Sequence, residues 1–237
     1  MRGSLVHRAL ETLFDLPAGE RTPAAAGELL QRAFVELEAD DPDSAAVVRQ
    51  GDAAPDVTAL IDAYFSMEDP RRLEPHAREL GVSVQVEEAF ELRGFIDRVD
   101  LSPGGDIRIV DYKTGRSPGS GFESKAMFQM RFYALVWWRM TGDVPRLLQL
   151  MYLGNTELLR YEPSEDDLRS TERKILALRD AIARAADAEA FDPSPSKLCD
   201  WCNHRALCPA WGGTPPPLPP RDQWPTSSAR VDVEPEV

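Results

Sequence analysis

No stretch of uncharged apolar residues in this 237-residue sequence approaches the length of a bilayer-spanning helix. A secretory leader is missing from the first fifteen residues too, where His7, Arg8, Glu11 and Asp15 break up the apolar positions. Cytoplasmic placement, with no membrane partner, is the expectation. Positive charge is scarce, since 27 lysines and arginines face 40 acids and leave a net charge of −13. That is the reverse of the basic balance common on phosphate-binding surfaces. The deficit is local, however. Residues 20–69 hold twelve acids against three arginines, which accounts for −9 and leaves only −4 to the other 187 residues. A basic groove elsewhere is therefore allowed, and the acidic stretch reads as a solvated face. Cysteine is rare as well: there are three, all between positions 199 and 208. An odd, clustered set excludes a disulfide framework and points to a metal.

What is present suffices for a core, with 43% hydrophobic residues. Leu5, Val6, Ala9, Leu10, Leu13 and Phe14 recur at helical spacing over residues 4–15, with Ser4 as N-cap and His7 in the first turns. Further helices are expected over 24–38 and 55–66, separated by an acidic loop around Asp40–Asp43. The period then shortens to two. Val82, Val84 and Val86 alternate with polar neighbours, residues 91–101 continue extended, and Pro103-Gly104-Gly105-Asp106 turns the chain into a strand over 107–112. These give three antiparallel strands. A Gly- and Ser-rich loop over 114–121 precedes a buried helix over 126–140, a hairpin at 147–161 and a long helix from Ser164 to about Ala190. Beyond Trp211 the Pro-rich, charged composition predicts disorder.

Chemistry concentrates in the central hairpin. Gly94-Phe95-Ile96-Asp97-Arg98-Val99-Asp100 precedes the turn, and Ile109-Val110-Asp111-Tyr112-Lys113-Thr114-Gly115 follows it. Antiparallel pairing can set Asp97 beside Asp111, where two carboxylates repel unless a divalent cation lies between them. Oxygen ligands suit magnesium or manganese. Lys113, two residues after Asp111 and on the same strand face, can orient water or meet charge building on phosphorus. An isolated Asp-x-Lys is more often a structural salt bridge; the preceding aspartate strand and the following glycine-rich loop raise it above that. Glu87 or Glu88 could add a carboxylate.

This arrangement, with Gln129-Met130-Arg131-Phe132-Tyr133 on the next helix, resembles the RecB-type exonuclease branch of the PD-(D/E)XK nuclease superfamily from Arg2 to about Trp211. The resemblance implies that His7, in a Gly3-x-x-x-His7 pattern, Asp97 and Asp111 bind the metal with the Tyr112 carbonyl. It implies that Lys113 is catalytic, and that Gln129 and Tyr133 support it or touch DNA.

Cys199, Cys202 and Cys208 form a C-x2-C-x5-C array after the last helix. Three thiolates plus His204 would make a zinc site. The family resemblance implies instead a [4Fe–4S] cluster whose fourth cysteine precedes the histidine helix. The sequence begins too close to that helix to include it, so a misplaced gene start or a truncated chain is expected.

The fold class expected is α/β, a mixed central sheet flanked by helices. One nuclease-like domain is expected over 1–212, with a helical insertion at about 17–80, a cysteine-rich region at 196–212 and a disordered tail over 213–237. The expected activity is metal-dependent hydrolysis of DNA phosphodiesters, exonuclease-type, in repair or recombination. Single-stranded ends or frayed duplexes would be the substrate, a helicase or repair protein the partner, and Arg98, Lys125, Arg131 and exposed aromatics the strand contacts. Two other readings are a non-catalytic DNA-binding subunit that keeps the fold, and a zinc-stabilised interaction module.

Overall fold

The computed structural model describes residues 2–50, 57–87, 90–119 and 123–220. Its contacts divide the chain into two units, one running to Glu172 and one starting at Arg173. In the first, helices α1 (Arg2–Leu13), α2 (Pro23–Asp40), α3 (Pro42–Gln50) and α4 (Val57–Met67) precede strands β1 (Ala77–Glu87), β2 (Phe90–Leu101) and β3 (Ile107–Lys113). Helix α5 (Glu123–Thr141), strands β4 (Leu147–Tyr152) and β5 (Glu157–Tyr161) and the start of α6 (Glu165–Asp187) follow.

The five strands form one sheet in chain order. All neighbours are antiparallel except β3 and β4, which run parallel. A parallel pair needs a crossover, and α5 supplies it. The sheet is therefore mixed, as the sequence pattern implied. β3 reads as an almost unbroken apolar run, and Ile109 and Val110 are fully buried because both faces are covered. On one face Leu5, Val6, Ala9, Leu10 and Leu13 of α1 pack with Leu30, Leu60, Ile61 and Tyr64 against Val110, Tyr112 and Met151. Each such leucine contributes about 1.5–3 kcal/mol by leaving water. His7 rides on this helix, so burying the apolar stripe fixes where the imidazole goes.

Several boundaries differ from expectation: β1 starts at Ala77, ahead of the valine alternation, and α3 is an additional helix. α1 starts at Arg2, so Ser4 lies inside it rather than capping it. The acidic stretch at Asp40–Asp43 is a junction of helices, not a loop. Asp41 ends α2, its backbone N–H donating to the Leu37 carbonyl, and its carboxylate accepts the Ser44 N–H at 3.0 Å to open α3, with Pro42 first in that helix. Arg21 closes the same region. Its guanidinium donates to the carbonyls of Phe14, Leu16, Pro70 and Leu73 and to Glu74, tying the end of α1 to the approach to β1. α5 is buried on one side through Met130, Ala134, Leu135, Val136 and Trp137, whereas Phe128 is exposed.

In the second unit α6 gives way to three short 3-10 turns at Lys197–Trp201, Arg205–Leu207 and Pro209–Trp211. Residues 213–220 are outside helix and strand, and the rest of the expected disordered tail, 221–237, lies outside the described residues.

Candidate metal and catalytic site

The β2–β3 ladder runs from the turn to the pair Arg98–Val110 and stops there, one residue short of Asp97 and Asp111. Past that point the strands part, and Tyr112 must find other partners for its main-chain groups. Its N–H donates to Asp97 Oδ2 at 2.7 Å, and its carbonyl lies 2.8 Å from His7 Nε2. A carbonyl only accepts, so Nε2 carries the proton and donates. In the neutral ring this leaves the Nδ1 lone pair facing inward, 3.5 Å from Asp97 Oδ2 and 3.8 Å from Glu79 Oε1. An imidazole fixed through its other nitrogen is the usual arrangement of a metal-ligating histidine.

Asp111 and Lys113 lie on β3, where the Asp97 and His7 charges reach Asp111. Lys113 Nζ donates to Asp111 Oδ1 at 3.0 Å and to Gln129 Oε1 at 2.9 Å, and Gln129 Nε2 donates to the Tyr133 hydroxyl at 2.9 Å. Gln129 and Tyr133 are one turn apart on α5, so the crossover helix holds the ammonium from above. A Cβ at Gly94 would fall 2.9 Å from Tyr133 Cε1, so β2 passes this ring because residue 94 is glycine.

The electrostatics are those of a site short of positive charge. Asp111 is 2% exposed. Burial first, then the Asp97 charge, pushes its pKa up to about 6 against the pull of Lys113. Its Oδ2 sits 2.7 Å from Nζ in ion-pair contact but makes no hydrogen bond. Burial alone would lower the His7 pKa; the hydrogen bond and charge of Asp97 outweigh it, and the pKa rises. Among the described residues the one group of three or more His, Cys, Asp or Glu side chains close enough to share an ion is His7, Glu79 and Asp97. One imidazole nitrogen among carboxylate oxygens suits a hard divalent cation.

Glu79 is absent from the sequence-derived set, which looked to Glu87 and Glu88. Glu87 ends β1, eight residues along the strand from Glu79, and Glu88 lies outside the described residues. Arg98 is also placed differently from expectation. It is 1% exposed and donates to both oxygens of Glu68, to Asp100 and to the Tyr112 hydroxyl, so it is not available to a nucleic-acid strand. Arg131 stacks its guanidinium 4.4 Å from the Tyr161 ring centroid. Lys125 belongs to α5, but its side chain lies outside the described ones.

Cys199 and Cys208 are half-buried and Cys202 exposed, all as free thiols. The turns wind from one to the next: Cys202 N–H donates to the Cys199 carbonyl, Arg205 N–H to that of Cys202, and Cys208 N–H to that of Arg205. Cys199 Sγ accepts the Ser196 N–H at 3.3 Å. The three thiols and His204 are not drawn together to the close spacing of zinc ligands.

Residues 1–209 match the family model of the PD-(D/E)XK nuclease superfamily. The chain belongs to this superfamily. Its five-stranded mixed sheet with flanking helices is the superfamily's fold. Gene 69 protein of Mycobacterium phage L5 is 32% identical over 141 residues, 57% of this chain and 45% of that protein. The chain thus spans less than half the length of that curated relative. Among solved structures, a Eubacterium rectale protein provisionally named an exonuclease aligns with TM-score 0.48 at 10% identity, covering 86% of this chain and 74% of its own. A protein called SSO0001 aligns with TM-score 0.43 at 16% identity, covering 75% and 80%. Among the described residues no helix is long and apolar enough to cross a membrane.

Proposed function

We propose that this superfamily member is a magnesium- or manganese-dependent deoxyribonuclease of exonuclease type, acting in the cytoplasm in DNA repair or recombination. The observation that carries the reading is His7 Nδ1 3.5 Å from Asp97, with the charges of both felt at the buried Asp111, beside a lysine held by both Asp111 and Gln129. His7 Nδ1 and the Asp97 and Asp111 carboxylates would hold the cation, while the Tyr112 carbonyl, which accepts the His7 Nε2–H, fixes the imidazole rather than reaching the same ion. When bound, such an ion polarises a phosphate oxygen and makes water more acidic. Lys113 Nζ orients the attacking water and meets negative charge building on phosphorus. Water attacks phosphorus in line and gives up a proton to bulk solvent, the bond to the leaving oxygen breaks, and that oxygen takes up a proton from solvent, so that one water is consumed per bond cut. Gln129 keeps Nζ in place and Tyr133 keeps Gln129 from swinging away.

Unpaired ends or frayed duplexes fit as substrate, because the exposed rings of Phe95 and Phe128 lie near Asp97 and Gln129 in sequence and offer flat apolar faces to bases. A helicase or repair partner would supply such ends. In the second unit, Cys199, Cys202 and Cys208 are proposed as iron–sulfur ligands; iron content and visible absorption of anaerobically purified protein test this.

For the nuclease reading, labelled single- and double-stranded DNA are incubated with wild type and Asp111→Ala under magnesium, manganese or chelator. Wild type is expected to cut only with metal, and the variant to bind DNA without cutting. Equal cleavage by the two proteins rejects the site.

A further inference from the structure

Glu79 occupies a position the motif does not include. It falls between the β1–β2 pairs Arg78–Arg98 and Leu80–Ile96, which puts it across from Asp97. Its φ is 42°, in the left-handed region that a residue with a side chain adopts at a cost. The neighbouring cation gives it no help: Arg78 turns to Asp15 and to the Glu11 carbonyl. Among the described residues its charged partner is His7. A costly backbone conformation thus brings a carboxylate, two-thirds withdrawn from solvent, up to another carboxylate and an imidazole lone pair. Burial first, and then the Asp97 charge, raise its pKa.

We infer that Glu79 is a further side-chain ligand of the divalent cation, so that β1 as well as β2, β3 and α1 builds the centre. The spacing fits this role. An ion about 2.1 Å from each ligand sets neighbouring ligand atoms about 3.0 Å apart at right angles and about 3.6 Å at 120°. The gaps from His7 Nδ1 to Asp97 and Glu79 are 3.5 and 3.8 Å, and all three ligand atoms lie within 4.8 Å of one another. One positive ion there would relieve the repulsion of both acids and use the free imidazole lone pair. A protonated His7 would leave Glu79 and Asp97 sharing a single positive charge, whereas a divalent ion supplies two.

The inference rests on the reading of the site as a metal centre, and the test separates the two. Manganese alone, without DNA, is titrated into wild type, Glu79→Gln, Glu79→Gly and Asp97→Asn by calorimetry, and melting is followed with and without the ion. Wild type and both Glu79 variants are expected to fold, with Glu79→Gly melting above wild type without metal because glycine accepts the positive φ. Both Glu79 variants are expected to bind manganese at least about tenfold more weakly and to lose most of the metal-induced rise in melting temperature. If Glu79→Gln matches wild type in affinity while Asp97→Asn does not bind, Glu79 is no ligand and the metal centre stands without it. A Glu79→Gln protein that is less stable without metal yet binds the ion normally assigns Glu79 to a His7 ion pair and overturns the inference. Wild type that fails to bind manganese overturns both readings.

Discussion

Two groups of carboxylates lie against the same sheet and are neutralised in different ways. Glu68 and Asp100 meet Arg98 and Arg108, two acids against two guanidinium groups, with contacts of 2.6 to 3.6 Å. Burial would raise the Glu68 pKa, but Arg98 more than offsets it and the acid stays ionised. Among the described residues Glu79, Asp97 and Asp111 have Lys113 and an imidazole as their countercharges, and burial wins at Asp111. The first group is neutralised within the protein; the second keeps surplus negative charge, which the proposed cation would offset. Acid clustering alone thus says little about function. What decides it is whether the fold also delivers the counter-charge.

The sharpest way to break this comparison is Arg98→Met. It strands the buried Glu68 and Asp100 carboxylates and should cost about 3–5 kcal/mol in denaturant unfolding; an unchanged midpoint would mean the two groups do not differ as described. Lys113→Met should slow cleavage about 10²–10³-fold, equivalent to roughly 3–4 kcal/mol, with manganese affinity kept or improved. A loss of folding instead of rate would move Lys113 into the structural group. Asp111→Asn should stabilise the metal-free protein at pH 7 by roughly 2–3 kcal/mol while abolishing cleavage. The sign follows from a folded pKa of about 6 above an unfolded value near the usual carboxylate range. Folded protein holds the extra proton between the two, so metal-free stability falls as pH rises from about 4 to 6 and is then level. Melting in chelator across that window should show the decline in wild type and a flatter profile in the variant. The smallest effect is expected from Gln129→Ala, about tenfold in rate, because Lys113 keeps its bond to Asp111.

Local pattern made the hairpin of β2 and β3 legible, and with it Asp97, Asp111 and Lys113, because period-two alternation and a Pro-Gly-Gly turn are short-range signals. For His7 the apolar pattern gave only its place on a helix; the family resemblance and the downstream acids singled it out. Glu79 was not legible. The valine alternation starts at Val82, so β1 appeared to begin after Glu79, and its backbone does not follow strand geometry. Hairpin register counted back from the Glu87–Phe90 pair would have set Leu80 opposite Asp97, because a bulge between Gln85 and Glu87 shifts the pairing by one residue. Arg98 misled because a charged residue beside a metal-binding acid looks exposed. Its partner Glu68 lies 30 residues away in sequence, and no local pattern announces that pairing. The α2–α3 junction was readable in hindsight from Asp41-Pro42, a capping residue followed by proline.

Tyr112 holds Asp97 and His7 through its peptide N–H and C=O, while its ring is gripped by Arg98. Groups of the polypeptide chain survive every ordinary side-chain replacement, so a survey that truncates residues one at a time would credit position 112 with its ring alone. The hold on the two ligands would surface only on swapping the amide for an ester, or on introducing proline, which has no hydrogen to give.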